Sequence, residues 1–238
     1  MRWTGILGLA VMLAVAAVHP ADARSVPGLS VGGGDSAALL HLPPDDDQPA
    51  PIVIMLSDGP MPDFRDDRYI EHLIWSGIAV LEPQAERPDI PALIAAASWV
   101  IGVDANRIAL LARGAGSRIE TGPIRAAVLL YPGCGTALPR PRASEILLVH
   151  GSADAANQRA ECSAVAEAWR VAGLRVQHEV LEGVGYAWDN RPMGPDFRVS
   201  FQQPGGTERI TAVPLPDATE VVAQQAARFL ARALGVTP

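Results

Sequence analysis

Short, continuous apolar blocks alternate along this chain with longer stretches of helical spacing. Ile52–Leu56 is five apolar residues in a row, and Ile78–Leu81, Arg107–Leu111, Ala126–Tyr131, Glu145–Val149 and Val176–Leu181 have the same strand-like length. Between them, Asp66–Trp75 places Tyr69 and Leu73 at helical spacing and ends near Gly77. Ile90–Ile101 predicts a helix with Pro91 in its first turn, and Glu161–Ala172 an amphipathic helix stopped by Gly173. Ala218–Leu234 is the closing helix, with Val221, Val222, Phe229 and Leu230 on its apolar side. Upstream, Ser25–Ala50 is rich in Gly, Pro and Asp and predicts one strand, Ala37–Leu42, followed by a turn at Pro43–Pro49. Within Asp189–Pro216, Phe197–Gln202 and Glu208–Val213 flank Pro204-Gly205-Gly206 as a β-hairpin.

Strands that are apolar at every position are buried on both faces. The predicted fold class is therefore α/β, a mostly parallel central sheet with helices on both faces. Ligand sites in such sheets lie at the carboxyl ends of the strands. The segments that matter are those just after Leu56, Leu111, Tyr131, Val149 and Leu181.

Composition narrows the picture. With 49% hydrophobic residues, the chain can build a core, which excludes global disorder. Its 19 basic residues, all Arg, face 26 acidic ones for a net charge of −7. That balance, without an Arg cluster, argues against nucleic acid as a partner. Residues 1–23 read as a secretory signal peptide: Arg2, then the uncharged run Gly5–Val18, then His19-Pro20 and the small-residue site Ala21-Asp22-Ala23. The run has 14 residues, short of the roughly 20 needed to span a bilayer. Cleavage after Ala23 leaves residues 24–238 as a single domain with 18 basic and 25 acidic residues, still at −7. The expected location is the periplasm or exterior, with no membrane partner after cleavage. In that oxidising setting Cys134 and Cys162 are expected to pair.

The strand-end segments carry the chemistry. They are Ala112-Arg113-Gly114-Ala115-Gly116, His150-Gly151-Ser152-Ala153-Asp154, and Glu182-Gly183-Val184-Gly185-Tyr186-Ala187-Trp188-Asp189. Val103-Asp104-x-x-Arg107-Ile108 and Tyr131-Pro132-Gly133-Cys134-Gly135 complete the series. In order and spacing it resembles the dienelactone hydrolase branch of the α/β-hydrolases, from about Pro49 to the final helix. The resemblance implies an α/β-hydrolase fold and a carboxylic ester or lactone as substrate class. It places the nucleophile at Gly114, where no hydroxyl exists, between the small residues Ala112 and Gly116. Asp154 holds the position of the acid, and Tyr186 that of the base. A phenol of pKa near 10 cannot shuttle protons as imidazole does, but its O–H can donate to Asp154. Ser57-Asp58-Gly59-Pro60-Met61-Pro62 is the loop expected to supply an oxyanion donor, and Pro60 has no N–H to give. Gly59, Arg113 and Ala115 are the expected ligand-binding positions.

The remaining candidates are weaker. Ser117 is flanked by Ala115 and Ile119, which do not fit the sharp turn a nucleophile needs. His150 and His178 read as strand residues, His41 as preceding a loop and His72 as helical. No metal-ligand spacing occurs, so no metal or cofactor is expected. The leading functional reading is an exported pseudo-hydrolase that binds a small ester- or lactone-like molecule or acts as a scaffold. The alternative is an ester or lactone hydrolase using Asp154 and Tyr186. A third reading is an interaction protein that recognises an unidentified protein partner through Asp189–Pro216.

Overall fold

The computed structural model describes residues 28–34, 37–44, 48–58, 64–85, 87–135, 137–191 and 198–236. The leader segment, Gly59 and Pro60 lie outside the described residues. The chain runs β1 (Leu29–Val31), β2 (Ala38–His41), β3 (Ala50–Leu56), α1 (Asp66–Trp75), β4 (Ala79–Pro83), α2 (Ile90–Ala97) and β5 (Val103–Arg113). A 3₁₀ turn at Gly114–Arg118 leads to β6 (Ala126–Leu130), β7 (Glu145–Gly151), α3 (Arg159–Val171) and β8 (Arg175–Leu181). The hairpin β9 (Ser200–Gln202) and β10 (Arg209–Thr211) precedes α4 (Pro216–Leu234).

Eight strands form one sheet in the order β1-β2-β4-β3-β5-β6-β7-β8. Strands β4, β3, β5, β6, β7 and β8 are parallel, while β2 is antiparallel to both β4 and β1. This is the α/β class read from the strand pattern. Every residue of β3, β4 and β6 is buried, because helices cover both faces. Alternate strand residues feed two cores. Val53, Leu111, Val128 and Leu147 pack with Leu73, Val222 and Leu230 of α1 and α4. Ile52, Leu110, Leu129 and Leu148 pack with Leu93, Cys162 and Trp169 of α2 and α3.

Local chemistry sets the helix ends. The Asp89 side chain accepts from Ala92 N at 3.1 Å and Pro91 opens α2, so the helix starts where the sequence placed it. It ends at Ala97, short of the expected Ile101. Between β5 and β6 the chain makes a single five-residue 3₁₀ turn, which ends at Ile119 in extended backbone. The amino-terminal region also holds a strand, β1, that its Gly-rich composition hid.

Cys134 and Cys162 are joined by a disulfide that ties the loop after β6 to the first turns of α3. It closes a loop across a sequence separation of 28. Among the described residues, no helix is long and apolar enough to cross a membrane. Replacing both cysteines by Ala should lower unfolding stability by on the order of 3 kcal/mol through the loop-closure entropy returned to the unfolded chain. Urea denaturation of the processed chain under oxidising conditions measures this.

Candidate functional site

The parallel sheet delivers five segments to one end. Asp58 lies two residues past β3, Gly114 one past β5, Tyr131 one past β6, Asp154 three past β7 and Tyr186 five past β8. Gly114 sits at φ +47°, in the left-handed region, and a Cβ built there would lie 1.9 Å from Asp58 Oδ2 and 2.5 Å from the Tyr186 hydroxyl. A side chain at this position would have no room, because Asp58 and Tyr186 already fill the space in front of it. Gly116 keeps the turn against β3, since a Cβ there would meet Leu56 backbone at 2.8 Å.

The filling carboxylate is tightly held. Arg65 Nη2 donates to Asp58 Oδ1 at 2.7 Å, and the Tyr186 hydroxyl donates to Asp58 Oδ2 at 2.5 Å. Both charged side chains are almost wholly buried. Tyr186 therefore does not donate to Asp154, as its sequence position had suggested. Asp154 is already occupied, accepting from Ala156 N and Asn157 Nδ2 at 2.9 Å each. Burial, followed by the Asp58 carboxylate, pushes the Tyr186 phenol far above its ordinary pKa, so it stays a neutral donor. The Asp154 carboxyl is pushed up to about 6, mainly by burial, with the Ala156 and Asn157 hydrogen bonds working against the shift.

A second layer supports the first. Arg65 Nη1 donates to the Tyr131 hydroxyl at 3.3 Å, and that hydroxyl donates to Asp189 Oδ1 at 2.7 Å. Asp189 and Asp66 both pair with Arg113. The Tyr131 ring meets Tyr186 and Trp188 edge-on at 4.9 and 4.8 Å, and Phe201 of β9 covers Arg65 at 4.2 Å. Tyr131 and Ala187 hold positive φ values of 40° and 48°. For side-chain-bearing residues this costs about 1–3 kcal/mol each and clusters at functional sites.

The sequence-predicted positions divide. Gly114, Tyr186 and Asp154 come to one end of the sheet. The Arg113 side chain is fully buried, since the last residue of β5 points inward to Asp66 and Asp189. Ala115 is exposed on the 3₁₀ turn, and Gly59 lies outside the described residues. Ser117 is buried, and its hydroxyl has no hydrogen-bond partner among the described residues. The histidines are engaged elsewhere. His41 meets Glu82 at 3.0 Å and His72 meets Glu220 at 2.9 Å. His150 and His178 share a 3.0 Å contact between their Nε2 atoms. Asp58, Arg65, Tyr131 and Asp189 carry the site and were missed as such. Asp58 was visible only as part of the loop after the first core strand.

From solvent, a cleft of about 800 Å³ between α1 and α4 reaches this cluster and is lined by Phe64, Arg65, Asp189 and Thr219 among others. Among the described residues, no group of three or more His, Cys, Asp or Glu could hold a metal ion. The chemistry on offer is hydrogen bonding and charge at a filled turn.

The raised Asp154 carboxyl has a defined sign. The folded chain keeps a proton that the unfolded chain releases near 3.8, so Asp154 favours folding below about pH 4 and loses that contribution as pH rises through about 6. Relative to Asp154→Asn, the parent protein should lose on the order of 1–3 kcal/mol of stability between acid and neutral pH. Urea unfolding of both proteins at each pH checks this, and parallel pH curves would contradict it.

No protein-family model and no curated protein matches this chain. Solved structures do. A dienelactone hydrolase-like promiscuous phosphotriesterase from metagenomic libraries superposes with a TM-score of 0.65 at 16% identity, covering 87% of this chain and 98% of that one. A hyperthermophilic esterase from the archaeon Pyrobaculum calidifontis gives 0.58 at 14%, covering 90% and 87%. A dienelactone hydrolase, so described only provisionally, from Klebsiella pneumoniae gives 0.55 at 20%, covering 83% and 92%. At these identities the likeness is one of architecture, and this chain has the α/β-hydrolase fold.

Proposed function

We propose that this chain is an exported pseudo-hydrolase: a hydrolase-fold protein that does not perform Ser-His-Asp acyl transfer and instead binds a small ester- or lactone-like molecule or serves as a scaffold. One observation carries this reading. The place of the nucleophilic side chain is taken by the Asp58 carboxylate, 1.9 Å from where a Cβ of residue 114 would stand. Losing the nucleophile or the base of a serine hydrolase costs about six orders of magnitude in kcat. Here the nucleophile position has no side chain, the base position is a phenol, and the vacated space holds an anion. Export is part of the same proposal, supported by the leader pattern and the disulfide.

Reversion tests the reading. Gly114→Ser with Tyr186→His should yield an unstable protein without esterase activity, because the serine collides with Asp58. Adding Asp58→Ala clears the space and should raise p-nitrophenyl acetate turnover at least about tenfold over the parent protein, with labelling by a serine-directed fluorophosphonate. Parent turnover abolished by Ser117→Ala would overturn the proposal.

The second reading is hydrolysis of an ester or lactone by this chain as it stands. The esterase and dienelactone hydrolase-like neighbours favour it more directly than they favour a pseudo-hydrolase. An Asp154 carboxyl near 6 is also suited to general acid–base work. This reading expects parent turnover that rises through about pH 6 and is lost in Asp154→Asn. A pH–rate profile on activated esters and lactones, with fluorophosphonate labelling absent, would select it over the first.

A further inference from the structure

The two histidines of β7 and β8 take no part in the candidate site. Leu148 of β7 is in register with His178 of β8, and His150 follows two residues later, so all three side chains share one face of the sheet. Leu148 packs with Cys162 and Trp169, which places that face under α2 and α3. The Nε2 atoms of His150 and His178 are 3.0 Å apart, and their ring planes differ by 21°. His150 is fully buried, while His178 is half-buried on β8, the last strand of the sheet.

Hydrogen bonding fixes where the lone pairs are. His150 Nδ1 lies 3.0 Å from Gly151 O. A carbonyl only accepts, so Nδ1 carries the proton and Nε2 of neutral His150 is a bare lone pair. His178 then supplies the proton between the two Nε2 atoms. Anchoring Nδ1–H on a backbone carbonyl is how proteins orient an imidazole that binds metal through Nε2. The spacing also suits two ligands of one ion. Metal–nitrogen bonds of about 2.0–2.1 Å put the nitrogens about 2.9 Å apart at a right angle and about 3.3 Å apart at the tetrahedral angle. The observed 3.0 Å is close to the right-angle value. From the facing helix, Arg159 and Arg170 act on the pair. Both are balanced by carboxylates: Arg159 pairs with Glu182, and Arg170 pairs with Glu167 at 3.3 Å and donates to Val176 O.

We infer that His150 and His178 form a two-imidazole site for one divalent transition-metal ion of tetragonal preference, Cu(II) first, entered from the edge of β8. Imidazole suits copper, and Cu(II) heads the affinity order for nitrogen donors. Among the described residues, no third His, Cys, Asp or Glu completes a metal-binding group, so water fills the other positions. On binding, the proton on His178 Nε2 passes through solvent to its own Nδ1. The N–H···N bond is exchanged for two Nε2–metal bonds, and both rings stay neutral. This departs from the expectation that no metal is bound. It does not rest on the proposed function, because the pair shares no residue with the cluster around Asp58.

The test uses residues 24–238 with the disulfide intact, treated with chelator and then titrated with copper sulfate. The expected result is one tightly bound Cu(II) per chain by calorimetry, with the EPR spectrum of a tetragonal site coupled to two imidazole nitrogens. His178→Gln keeps a side chain that can hydrogen-bond to His150 and removes one ligand. It should weaken binding at least about tenfold with unchanged circular dichroism. His72→Ala, on α1, should leave binding unchanged. In the parent protein, substoichiometric Cu(II) should broaden the imidazole NMR signals of His150 and His178 before those of His41 and His72, a readout that needs no variant. Absence of Cu(II) binding, binding as tight in His178→Gln as in the parent, or broadening that begins at His41 or His72 overturns the inference. The pair would then be a hydrogen bond between two strands and nothing more.

Discussion

The end of this sheet is organised around a buried carboxylate lying against a glycine. Asp58 occupies the space in front of Gly114 and is neutralised there by Arg65 and hydrogen-bonded by Tyr186. None of the three can change alone without consequence. A side chain at 114 evicts the carboxylate, and loss of Arg65 strands a charge in a desolvated site. Breaking a buried pair in that way costs about 3–5 kcal/mol. Gly114, Asp58, Arg65 and Tyr186 therefore form one interdependent constellation at this strand end.

That constellation is stabilised by a chain of interactions reaching away from the strand ends. Arg65 passes its second amino group to Tyr131, Tyr131 donates to Asp189, and Asp189 faces Arg113, which also pairs with Asp66. A buried ion pair is weak evidence for stability taken singly, since desolvation offsets attraction. A connected network is different in kind, because each charge keeps a partner only while the whole arrangement holds. The positive φ values at Tyr131 and Ala187 fit this view, since such strain persists where surrounding contacts over-determine the backbone.

The short turn after β5 shows how local and global demands interact. Small residues at 112, 114, 115 and 116 allow a sharp exit from the strand, and the same smallness weakens any helix that would follow. The chain forms one 3₁₀ turn and reaches β6 through Ile119–Arg125. The expected strand-helix-strand rhythm survives elsewhere because Leu73, Trp169 and Leu230 give their helices an apolar side to bury.

Much of this was legible along the chain. Apolar runs of four to six residues mark β3 to β7, since a strand covered on both faces is apolar along its buried length, while the edge strand β8 mixes polar and apolar residues. Asp66–Trp75 and the start of α2 follow from helical spacing and from Pro91 in the first turn. Gly114, Asp154 and Tyr186 could be aligned on one strand end because parallel topology sends every carboxyl end the same way. What the chain could not disclose was which partner each polar group would take. Tyr186 had two carboxylates within plausible reach, and only the folded geometry assigns its proton to Asp58, with Asn157 holding Asp154. Arg113 reads as a ligand-binding position along the chain, and packing turns its side chain inward to Asp66 and Asp189. Periodicity records whether a residue is buried, which is a property of one element. Hydrogen-bond pairing depends on where separate elements meet, and residues 58, 114 and 186 become neighbours only once the sheet has closed.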